Sequence, residues 1–335
     1  MQAIYDVPAP AKLNLFLHVV GKRPDGYHLL QSIFALIDWA DTLHFEKRAD
    51  GQLARHDQGD ALPADDLCLR AARALQAQSG CSFGADIHIE KRLPAGAGMG
   101  GGSSDAASTL LALNRLWGLN WPLEKLFSLG LSLGADVPFF LGGRHAFVEG
   151  IGEILHPIDL PAMSFAVLKP SQSISTQQIF SSPLLARSNS VAIVAGFPAH
   201  NELRHELTGK QKSLNESSSD QDAKPVVLNE EGIASFLNGY GRNDLQKPAE
   251  ASCPEVVQAL RILEAEFGNS RMTGSGSAVF ARLPSDYQSN GLPSELQKKG
   301  GILSSDKKTW IDGLPSNFHA RICRCLDQHP LHGWA

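Results

Sequence analysis

The sequence predicts an α+β protein in two lobes, and three observations support this prediction. The chain has 335 residues, which corresponds to two domains at about 150 residues each. Hydrophobic residues make up 43% of it, enough to bury a substantial core. Period-two and helical hydrophobic patterns both occur, without strict alternation. We place the division between an N-terminal lobe of residues 1–160 and a C-terminal lobe of residues 161–335.

The first predicted strand covers residues 11–19, where apolar and polar side chains alternate. The two sets are Leu13, Leu15, Leu17 and Val19 on one face, and Lys12, Asn14, Phe16 and His18 on the other. Alternation over this length is typical of a strand with one buried face. A turn signal at residues 23–26 ends it, and an apolar stretch over residues 27–37 follows.

The remaining elements of the first half follow from the same patterns. Strands are predicted over residues 42–46, 86–90 and 146–149, and helices over residues 67–78, from Ala106 to near Gly118, and over 123–133. A glycine-rich loop over residues 94–104 separates the strand at 86–90 from the helix that begins near Ala106.

The second half of the chain is less regular. Strands are predicted over residues 165–169, 278–283 and 319–326, and a helix over residues 254–267. Residues 208–225 are polar and rich in Ser, Asn, Asp and Lys, which predicts a mobile loop or insertion. Residues 286–317 also have loop composition.

Bulk composition excludes several classes of function. The net charge is −5, and a mildly acidic chain lacks the basic surface of a nucleic-acid-binding protein, so we expect no nucleic-acid partner. Five cysteines without a Cys-x-x-Cys pair argue against a disulfide framework or a zinc ribbon. There is no signal-peptide order and no apolar run of about 18 residues. We therefore expect a cytoplasmic protein with no membrane partner.

The glycine-rich loop is the strongest chemical signal in the sequence. Five glycines occupy residues 96–102, and a predicted helix follows them. Glycines allow the backbone to approach a ligand closely, and the first N–H groups of a helix are unpaired and electropositive. Ser103 and Ser104 are suited to cap that helix or to donate hydroxyl groups to phosphate. A strand, a glycine loop and a helix start together predict an anion site, most often for phosphate.

Two common phosphate patterns fit this loop poorly. The G-x-x-x-x-G-K-[ST] pattern fails because no Lys follows the glycines. Gly96, Gly98 and Gly101 match G-x-G-x-x-G, but the acidic residue expected about 20 positions later opens a helix at Glu124. A dinucleotide-binding site is therefore a distant alternative, and a plain flexible turn does not need five glycines.

Several separated motifs, taken together, identify a family. The loop from Pro94 to Ala107 is similar to the phosphate loop of the GHMP kinases, and the segments Pro10–Leu15, Arg23–His28, Gly134–Phe140 and Thr273–Ser277 also resemble that family. The resemblance covers residues 8 to about 180 and about 239 to 283. It implies an ATP-dependent small-molecule kinase with an N-terminal ribosomal-S5-like lobe and a C-terminal ferredoxin-like lobe.

The set of motifs resembles one branch of the family in particular. Its members use ATP to phosphorylate the 2-hydroxyl of a cytidine-diphosphate-linked methylerythritol in the non-mevalonate isoprenoid pathway. The resemblance therefore implies a cytidine diphosphate derivative as the small-molecule partner, ATP and Mg²⁺ as cofactors, and a monomer or weak homodimer. It assigns no metal ligand.

The resemblance also implies roles for individual residues. Asp136 accepts the proton of the attacking hydroxyl, and Lys12 keeps that carboxylate ionised. The implied ATP-binding residues are Pro94, Ala95, Gly96, Ala97, Gly98, Met99, Gly100, Gly101, Gly102, Ser103 and Ser104, with Gly274, Ser275 and Gly276 as a supporting loop. The implied substrate-binding residues are Asn14, Tyr27, His28, Phe34 and Phe180. Tyr27 and Phe180 would sandwich a pyrimidine ring while His28 reads its edge.

Simpler interpretations stay open for several of these residues. From sequence alone, Asp136 is equally suited to begin a helix before Pro138, and Lys12 to be a solvated lysine at a strand edge. Phe34 is as well suited to the apolar core as to a pocket. Two other functions also remain: a kinase of this family with a homoserine or mevalonate-like acceptor, and a binding or regulatory protein on the same scaffold.

Overall fold

The computed structural model describes residues 1–59, 61–186, 241–284, 311 and 313–335. The segment 208–225, predicted from sequence as a mobile loop or insertion, lies outside the described residues, as does most of the segment 286–317.

A six-stranded sheet organises the first half of the chain. Its strands are β1 (Ala3–Lys22), β2 (His28–Arg48), β3 (Leu53–Gln58), β4 (Gly84–Glu90), β5 (Ala146–Glu149) and β6 (Ile154–Pro157). The strand order is β3-β4-β2-β5-β6, with β1 also paired to β2. Only β3 and β4 pair in parallel among these neighbours. Because β4 leads directly into the glycine-rich loop, the sheet fixes where that loop begins.

The strand predicted over residues 11–19 exists, but the prediction of one buried face is wrong. Both faces of β1 are buried there, since Lys12, Asn14 and His18 are no more than 3% exposed. The register of β1 against β2 shifts between Asn14 and Leu17. This irregularity breaks the period of two, so Phe16 packs in the same cluster as Leu13 and Leu15.

The apolar stretch at residues 27–37 and the strand predicted over residues 42–46 form one long strand, β2. It pairs with β1 along most of its length and with β4 from Thr42 onward. Between the two predicted segments, Ala40 and Asp41 pair with Pro10 and Ala9 of β1, and this long-range pairing leaves no local sequence signal.

Four helices accompany this sheet: α1 (Leu67–Ser79), α2 (Gly101–Leu116), α3 (Leu123–Leu133) and α4 (Val137–Gly142). The predicted helices over residues 67–78 and 123–133 are confirmed. Asp66 caps α1 by accepting the N–H groups of Cys68 and Leu69, and the left-handed Gly80 ends it. α2 packs on the sheet with every residue from Ser104 to Leu116 buried except Arg115, which anchors the helix directly after the glycine-rich loop.

A second, four-stranded sheet follows, in the order β10-β7-β9-β8. Its strands are β7 (Ser164–Pro170), β8 (Arg271–Met272), β9 (Val279–Arg282) and β10 (Phe318–Arg324), accompanied by α5 (Thr176–Phe180), α6 (Gln246–Ser252) and α7 (Pro254–Phe267). The predicted helix over residues 254–267 and the strands near 165, 279 and 319 are confirmed. A buried cluster that includes Leu168, Val256 and Leu263 joins the sheet to α7.

Backbone hydrogen bonds connect β1 to the later part of the chain. The N–H of Leu17 donates to the carbonyl of Arg242, and the N–H of Asp244 donates to the carbonyl of Leu17. The strand that carries Lys12 is thereby fixed to the segment before α6. The division between residues 160 and 161 stays a prediction. Within the described ranges, no helix is long and apolar enough to span a bilayer.

Candidate active site

A cavity of about 700 Å³ lies where β1, β2, the glycine-rich loop, α5 and the loop after β8 meet. Fourteen of the residues singled out from the sequence line it: Lys12, Asn14, Tyr27, His28, Phe34, Gly96, Gly98, Gly100, Ser103, Asp136, Phe180, Gly274, Ser275 and Gly276. The fold therefore brings four separated parts of the sequence to one site: residues 12–34, 96–136, 180 and 274–276.

The glycine-rich loop has a backbone that side chains would disrupt. Gly96, Gly98 and Gly100 have φ values of 60°, 73° and 74°, a region that favours glycine. A Cβ at Gly98 would lie 2.4 Å from the carbonyl oxygen of Thr273, and one at Gly100 would lie 2.9 Å from the Phe140 ring. The turn is therefore tight, and it ends at the N-terminus of α2, which supplies unpaired N–H groups for an anion.

The helix begins earlier than the sequence predicts. α2 starts at Gly101 rather than near Ala106, so Gly101 and Gly102 belong to its first turn. Its N-cap is Gly100, and no side chain caps it, which corrects the expectation for Ser103 and Ser104. A glycine cap costs little because the packing of α2 stabilises the helix.

The loop residues divide between cavity and interior. The following predicted ATP-binding residues do not line the cavity: Pro94, Ala95, Ala97, Met99, Gly101, Gly102 and Ser104. The hydroxyl of Ser104 is fully buried and donates to the carbonyl of Pro10 at 2.7 Å, so it is turned away from any phosphate. Ser103 instead faces the cavity.

The loop after β8, from Thr273 to Gly276, lies against the glycine-rich loop. A Cβ at Gly274 would be 2.5 Å from the carbonyl oxygen of Gly98. Ser277 and Ala278 donate their N–H groups to the carbonyls of Gly96 and Ala97, both at 3.1 Å. The predicted supporting loop therefore forms direct backbone contact with the first loop.

Asn243, which the sequence suggests as a helix start, holds this second loop. Its side-chain amide donates to the carbonyls of Met272 and Gly274, each at 2.8 Å, and accepts the N–H of Leu245 at 2.9 Å. Because all three bonds are buried, the second loop has a fixed position beside the first.

Lys12 and Asp136 meet beside Gly100. The Lys12 ammonium lies 3.6 Å from the Asp136 carboxylate, and the two side chains are 4% and 31% exposed. Burial lowers the pKa of Lys12, an effect that the nearby Asp136 carboxylate opposes. The partly exposed Asp136 is the N-cap of α4 but makes no capping hydrogen bond, so its oxygens are available to the cavity.

Asn14 and Phe34 position the Lys12 ammonium. Lys12 Nζ donates to Asn14 Oδ1 at 2.5 Å and lies 4.1 Å from the centre of the Phe34 ring. Asn14 Nδ2 donates to the hydroxyl of Ser32, and the Asn14 N–H donates to Thr273 Oγ1, both at 2.9 Å. The side-chain amide of Asn14 therefore makes its hydrogen bonds to other residues of the protein. Phe34 both packs in the apolar core and lines the cavity, the two roles considered from sequence.

The predicted aromatic site differs in arrangement from the sandwich expected from sequence. His28 stacks on Phe180 with ring centres 5.0 Å apart and planes 22° apart. Tyr27 is 60% exposed at the mouth of the cavity. The imidazole therefore covers one face of Phe180, and a flat ligand has the exposed Tyr27 ring and the remaining Phe180 surface for stacking.

Several cavity residues were missed from the sequence. They are Leu17, Asp25, Gly26, Leu30, Ala135, Ile151, Ile174, Thr176 and Leu245. Thr176 and Ser275 are in hydrogen-bond contact through their hydroxyl oxygens at 2.7 Å. Asp25, Gly26 and Ala135 lie inside motifs already identified from the sequence, and Ile174 and Thr176 lie between a strand and Phe180, so a sequence signal exists for these five. The remaining four depend on long-range packing.

The described side chains do not form a magnesium-binding site on their own. Among them, no group of three His, Cys, Asp or Glu residues could hold a metal ion. Asp25 and Asp136 are the acidic residues that line the cavity, and Asp136 already faces Lys12. Mg²⁺ prefers several waters and substrate phosphates to an all-protein site, so this arrangement does not oppose a metal carried on phosphates.

Comparisons with known proteins agree with this geometry. Residues 66–144 match the GHMP kinases N terminal domain and residues 228–301 match the GHMP kinases C terminal domain. Two proteins with the name 4-diphosphocytidyl-2-C-methyl-D-erythritol kinase are 52% identical, from Methylibium petroleiphilum, and 50% identical, from Albidiferax ferrireducens. Each comparison covers 100% of this chain, and 99% and 96% of the relatives respectively.

Solved structures lead to the same family. A crystal structure of 4-(cytidine 5'-diphospho)-2C-methyl-D-erythritol kinase is 34% identical, with a TM-score of 0.58 over 82% of this chain and 88% of that chain. A homoserine kinase from Cytophaga hutchinsonii is 15% identical, with a TM-score of 0.64 over 98% and 96% of the two chains, and shares the fold. The predicted α+β GHMP kinase fold is confirmed, and the chain is a kinase that belongs to the 4-diphosphocytidyl-2-C-methyl-D-erythritol kinase family.

Proposed function

We propose that this protein transfers the γ-phosphoryl group of ATP to the 2-hydroxyl of 4-diphosphocytidyl-2-C-methyl-D-erythritol, in the non-mevalonate pathway to isoprenoid precursors. The observation that carries the proposal is the Lys12–Asp136 pair, 3.6 Å apart, in one cavity with the phosphate loop and the His28–Phe180 stack. In the reaction an O–P bond forms at the acceptor, the bond between the β- and γ-phosphates breaks, and ADP leaves.

The proton of the acceptor hydroxyl goes to Asp136. Phosphoryl transfer requires mainly positioning and electrostatic stabilisation, because the protein takes little part in the covalent chemistry of the transition state. Asp136 is half-buried and faces the cavity, so its carboxylate can accept that proton within hydrogen-bond distance of a bound alcohol. Lys12 stabilises the ionised carboxylate and attracts the negative charge that develops on the attacking oxygen.

The phosphates of ATP are held chiefly by backbone groups. Gly96, Gly98 and Gly100 present a tight turn, and α2 adds its N-terminal N–H groups and the positive end of its dipole. Mg²⁺ is proposed to arrive with the triphosphate, where it neutralises charge on the phosphates. Among the residues that the structure describes, Lys12 is the one lysine that lines the cavity, so backbone N–H groups are proposed to supply most of the contacts to the phosphates.

The cytidine end of the acceptor is proposed to lie against Tyr27, His28 and Phe180. A pyrimidine has flat faces for aromatic contact and polar edges for hydrogen bonds, and these three residues supply both. Asn14, whose side-chain oxygen accepts from Lys12, also lines the cavity and is proposed to contact the acceptor. The protein is further proposed to act in the cytoplasm as a monomer or weak homodimer, with lobes divided near residue 160.

A kinase assay across acceptors tests the proposal. The purified protein with Mg²⁺ and ATP is offered 4-diphosphocytidyl-2-C-methyl-D-erythritol, homoserine or mevalonate, and ADP release is measured. We expect ADP with the first acceptor and at most background with the other two, and cytidine diphosphate should compete with the first. ADP release with homoserine or mevalonate alone would replace the proposed acceptor. Binding of ADP without turnover on any of the three would favour a binding protein on this scaffold.

A further inference from the structure

A buried group of three charges lies directly behind the phosphate loop. Lys91 Nζ contacts the carboxylates of both Asp41 and Asp105, at 2.7 Å in the case of Asp105. The Asp41 and Asp105 side chains are 0% and 3% exposed, and that of Lys91 is 18% exposed. None of the three lines the cavity, so they do not belong to the machinery described above.

The three residues connect the two ends of the loop. Lys91 is the first residue after β4 and lies three residues before the start of the loop at Pro94. Asp105 lies in the second turn of α2, immediately after the loop. Asp41, from β2, also accepts the N–H groups of Arg92 at 2.6 Å and Leu93 at 2.7 Å. A Cβ at Gly101 would lie 3.7 Å from Lys91 Nζ, which places the ammonium beneath the first turn of the helix.

We infer that Asp41, Lys91 and Asp105 form a clasp that closes the phosphate loop and sets the nucleotide affinity of the protein. Lys91 is thus a positioning residue, since it acts on the nucleotide through the loop backbone. The inference deepens the proposed function and rests on it only in taking the loop as the site of the nucleotide phosphates. It does not depend on which alcohol accepts the phosphoryl group.

Burying the charges of Asp41, Lys91 and Asp105 costs free energy, so these residues are better explained by a role in positioning the loop than by a role in stabilising the fold. Buried ion pairs often stabilise a fold no better than apolar residues of similar volume, whereas their hydrogen bonds fix geometry. The clasp engages two backbone N–H groups and two carboxylates around one ammonium. Fixed loop geometry matters because small displacements of binding groups weaken ligand binding steeply.

Asp105 makes this clasp sensitive to pH. Burial and the neighbouring Asp41 carboxylate raise the pKa of Asp105 to about 8, against the opposing effect of Lys91. The pKa of Lys91 is also raised, because the two carboxylates outweigh the effect of burial on the ammonium. The Cys68 thiol of α1 also interacts electrostatically with Asp105, and it stays protonated because burial raises its pKa.

The direction of the effect follows from the charge count. When Asp105 is protonated, the positive charge of Lys91 and the negative charge of Asp41 cancel behind the loop. As the pH rises through the pKa of Asp105, the clasp gains one negative charge close to the site of the phosphates. Nucleotide affinity should therefore fall across this range, whereas the aromatic end of the cavity should be unaffected.

The first test replaces the cation of the clasp. Lys91→Met is compared with Arg48→Met, which removes a partly buried cation that bridges two carboxylates, Asp50 and Asp86, near the opposite end of β4. ADP and cytidine diphosphate binding are measured by calorimetry near pH 7. We expect Lys91→Met to weaken ADP binding about tenfold or more, and cytidine diphosphate binding less than about threefold. Arg48→Met should change neither affinity beyond that smaller range.

The outcomes separate a positioning role from a structural one. The inference would be overturned if a folded Lys91→Met protein lost affinity equally for ADP and cytidine diphosphate, or if it lost no affinity for ADP. A lack of turnover on the proposed acceptor with intact ADP binding would contradict the proposed function and leave the clasp standing.

The second test uses a variant that keeps the shape of the site. Asp105→Asn removes the charge while retaining an oxygen that accepts from Lys91. ADP affinity is measured for this variant and the unchanged protein at pH values on both sides of the Asp105 pKa of about 8. We expect the unchanged protein to lose affinity about threefold or more across the range, and Asp105→Asn to lose markedly less. Because Lys12 and the nucleotide titrate identically in both proteins, identical pH profiles would overturn the proposed role of Asp105.

Discussion

The ammonium of Lys12 lies 3.6 Å from the carboxylate of Asp136, beside Gly100 at the start of α2. The pair is asymmetric, since Lys12 is enclosed and Asp136 is half-buried at the cavity wall. The cation is therefore fixed in the protein, and the carboxylate is the member that can reach a bound alcohol.

The asymmetry of this pair leads to a first prediction for Asp136→Asn. The amide keeps the shape of the side chain but cannot accept the proton of the hydroxyl. We expect kcat to fall about 10²- to 10⁴-fold, the usual contribution of a general base, while the affinity for ADP changes little. The measurement is ADP release under saturating substrates, together with calorimetric titration of ADP.

A matched control is Asp159→Asn, because Asp159 is 93% exposed in a surface pair with Arg144. Its kcat should equal that of the unchanged protein. Substantial turnover of Asp136→Asn would show that another group accepts the proton.

The sequence predicts those features of the site that depend on neighbouring residues, and it misses those that depend on residues far apart in the chain. Lys12, Asp136 and the glycines are singled out from the sequence because each motif is local and chemically distinctive. The helix start at Gly101 was misplaced, because burial of α2 overrides the low helix propensity of consecutive glycines. The substrate contact of Asn14 stays a prediction. Its contacts with Lys12 and Ser32 were not predicted, because strand pairing brings these residues together.

The fold shows the same division between local and long-range information. Predicted helices such as α3 and α7 agree with the structure because their apolar spacing is local. The continuity of β2 and the two buried faces of β1 were not predicted, since both depend on neighbouring strands and on bulges that break the alternation. The contact of Lys91 with Asp41 and Asp105 likewise joins three segments with no shared pattern.

The second prediction concerns the backbone contact between the two glycine loops. In Gly274→Ala the new Cβ would lie 2.5 Å from the carbonyl oxygen of Gly98, so one loop must move. We expect the KM for ATP to rise about tenfold or more, because the moved loop no longer presents its N–H groups correctly. Steady-state kinetics with varied ATP measure the change.

Gly268→Ala separates the close contact from backbone strain. Gly268 also has a positive φ, 70°, but a Cβ there meets no atom within 4 Å. This control should lose about 1 kcal/mol of stability while its KM for ATP stays unchanged. Equal kinetic effects in both variants would show that the two loops are not coupled through this contact.

The third prediction concerns the aromatic end of the cavity. Phe180→Ala removes the ring on which His28 stacks, at 5.0 Å between centres, and removes a surface for the pyrimidine. Loss of an aromatic contact beyond area burial costs about 0.5–1.5 kcal/mol, and loss of the buried area adds to it. We expect the KM for the cytidine-containing acceptor to rise at least about tenfold, with the KM for ATP within about twofold.

Tyr5→Ala is the control for an aromatic residue, since Tyr5 is 58% exposed and outside the cavity lining. Neither KM should change in it. A rise in the KM for ATP in Phe180→Ala, without one for the acceptor, would place the nucleotide rather than the cytidine at this end.

The fourth prediction concerns Thr273, which links the second glycine loop to the catalytic pair. Its hydroxyl oxygen accepts the N–H of Asn14 at 2.9 Å, and its hydroxyl lies 3.5 Å from Asn14 Oδ1, the atom that accepts from Lys12. Thr273→Val keeps the shape of the side chain but leaves the buried Asn14 N–H without its acceptor. Asn14 and Lys12 should then lose their fixed positions, and we expect kcat to fall about tenfold or more. The KM for ATP should change little, because the backbone of the second loop is also held by Asn243.

Thr273→Ser is the control, since it retains the hydroxyl and loses one methyl group. We expect its kcat to stay within about threefold of the unchanged protein, so that activity follows the hydroxyl and not the packing. Thermal unfolding of both variants separates this effect from loss of the fold. If Thr273→Val and Thr273→Ser show the same kcat, the hydroxyl does not position Lys12, and the strand β1 alone determines where the ammonium lies.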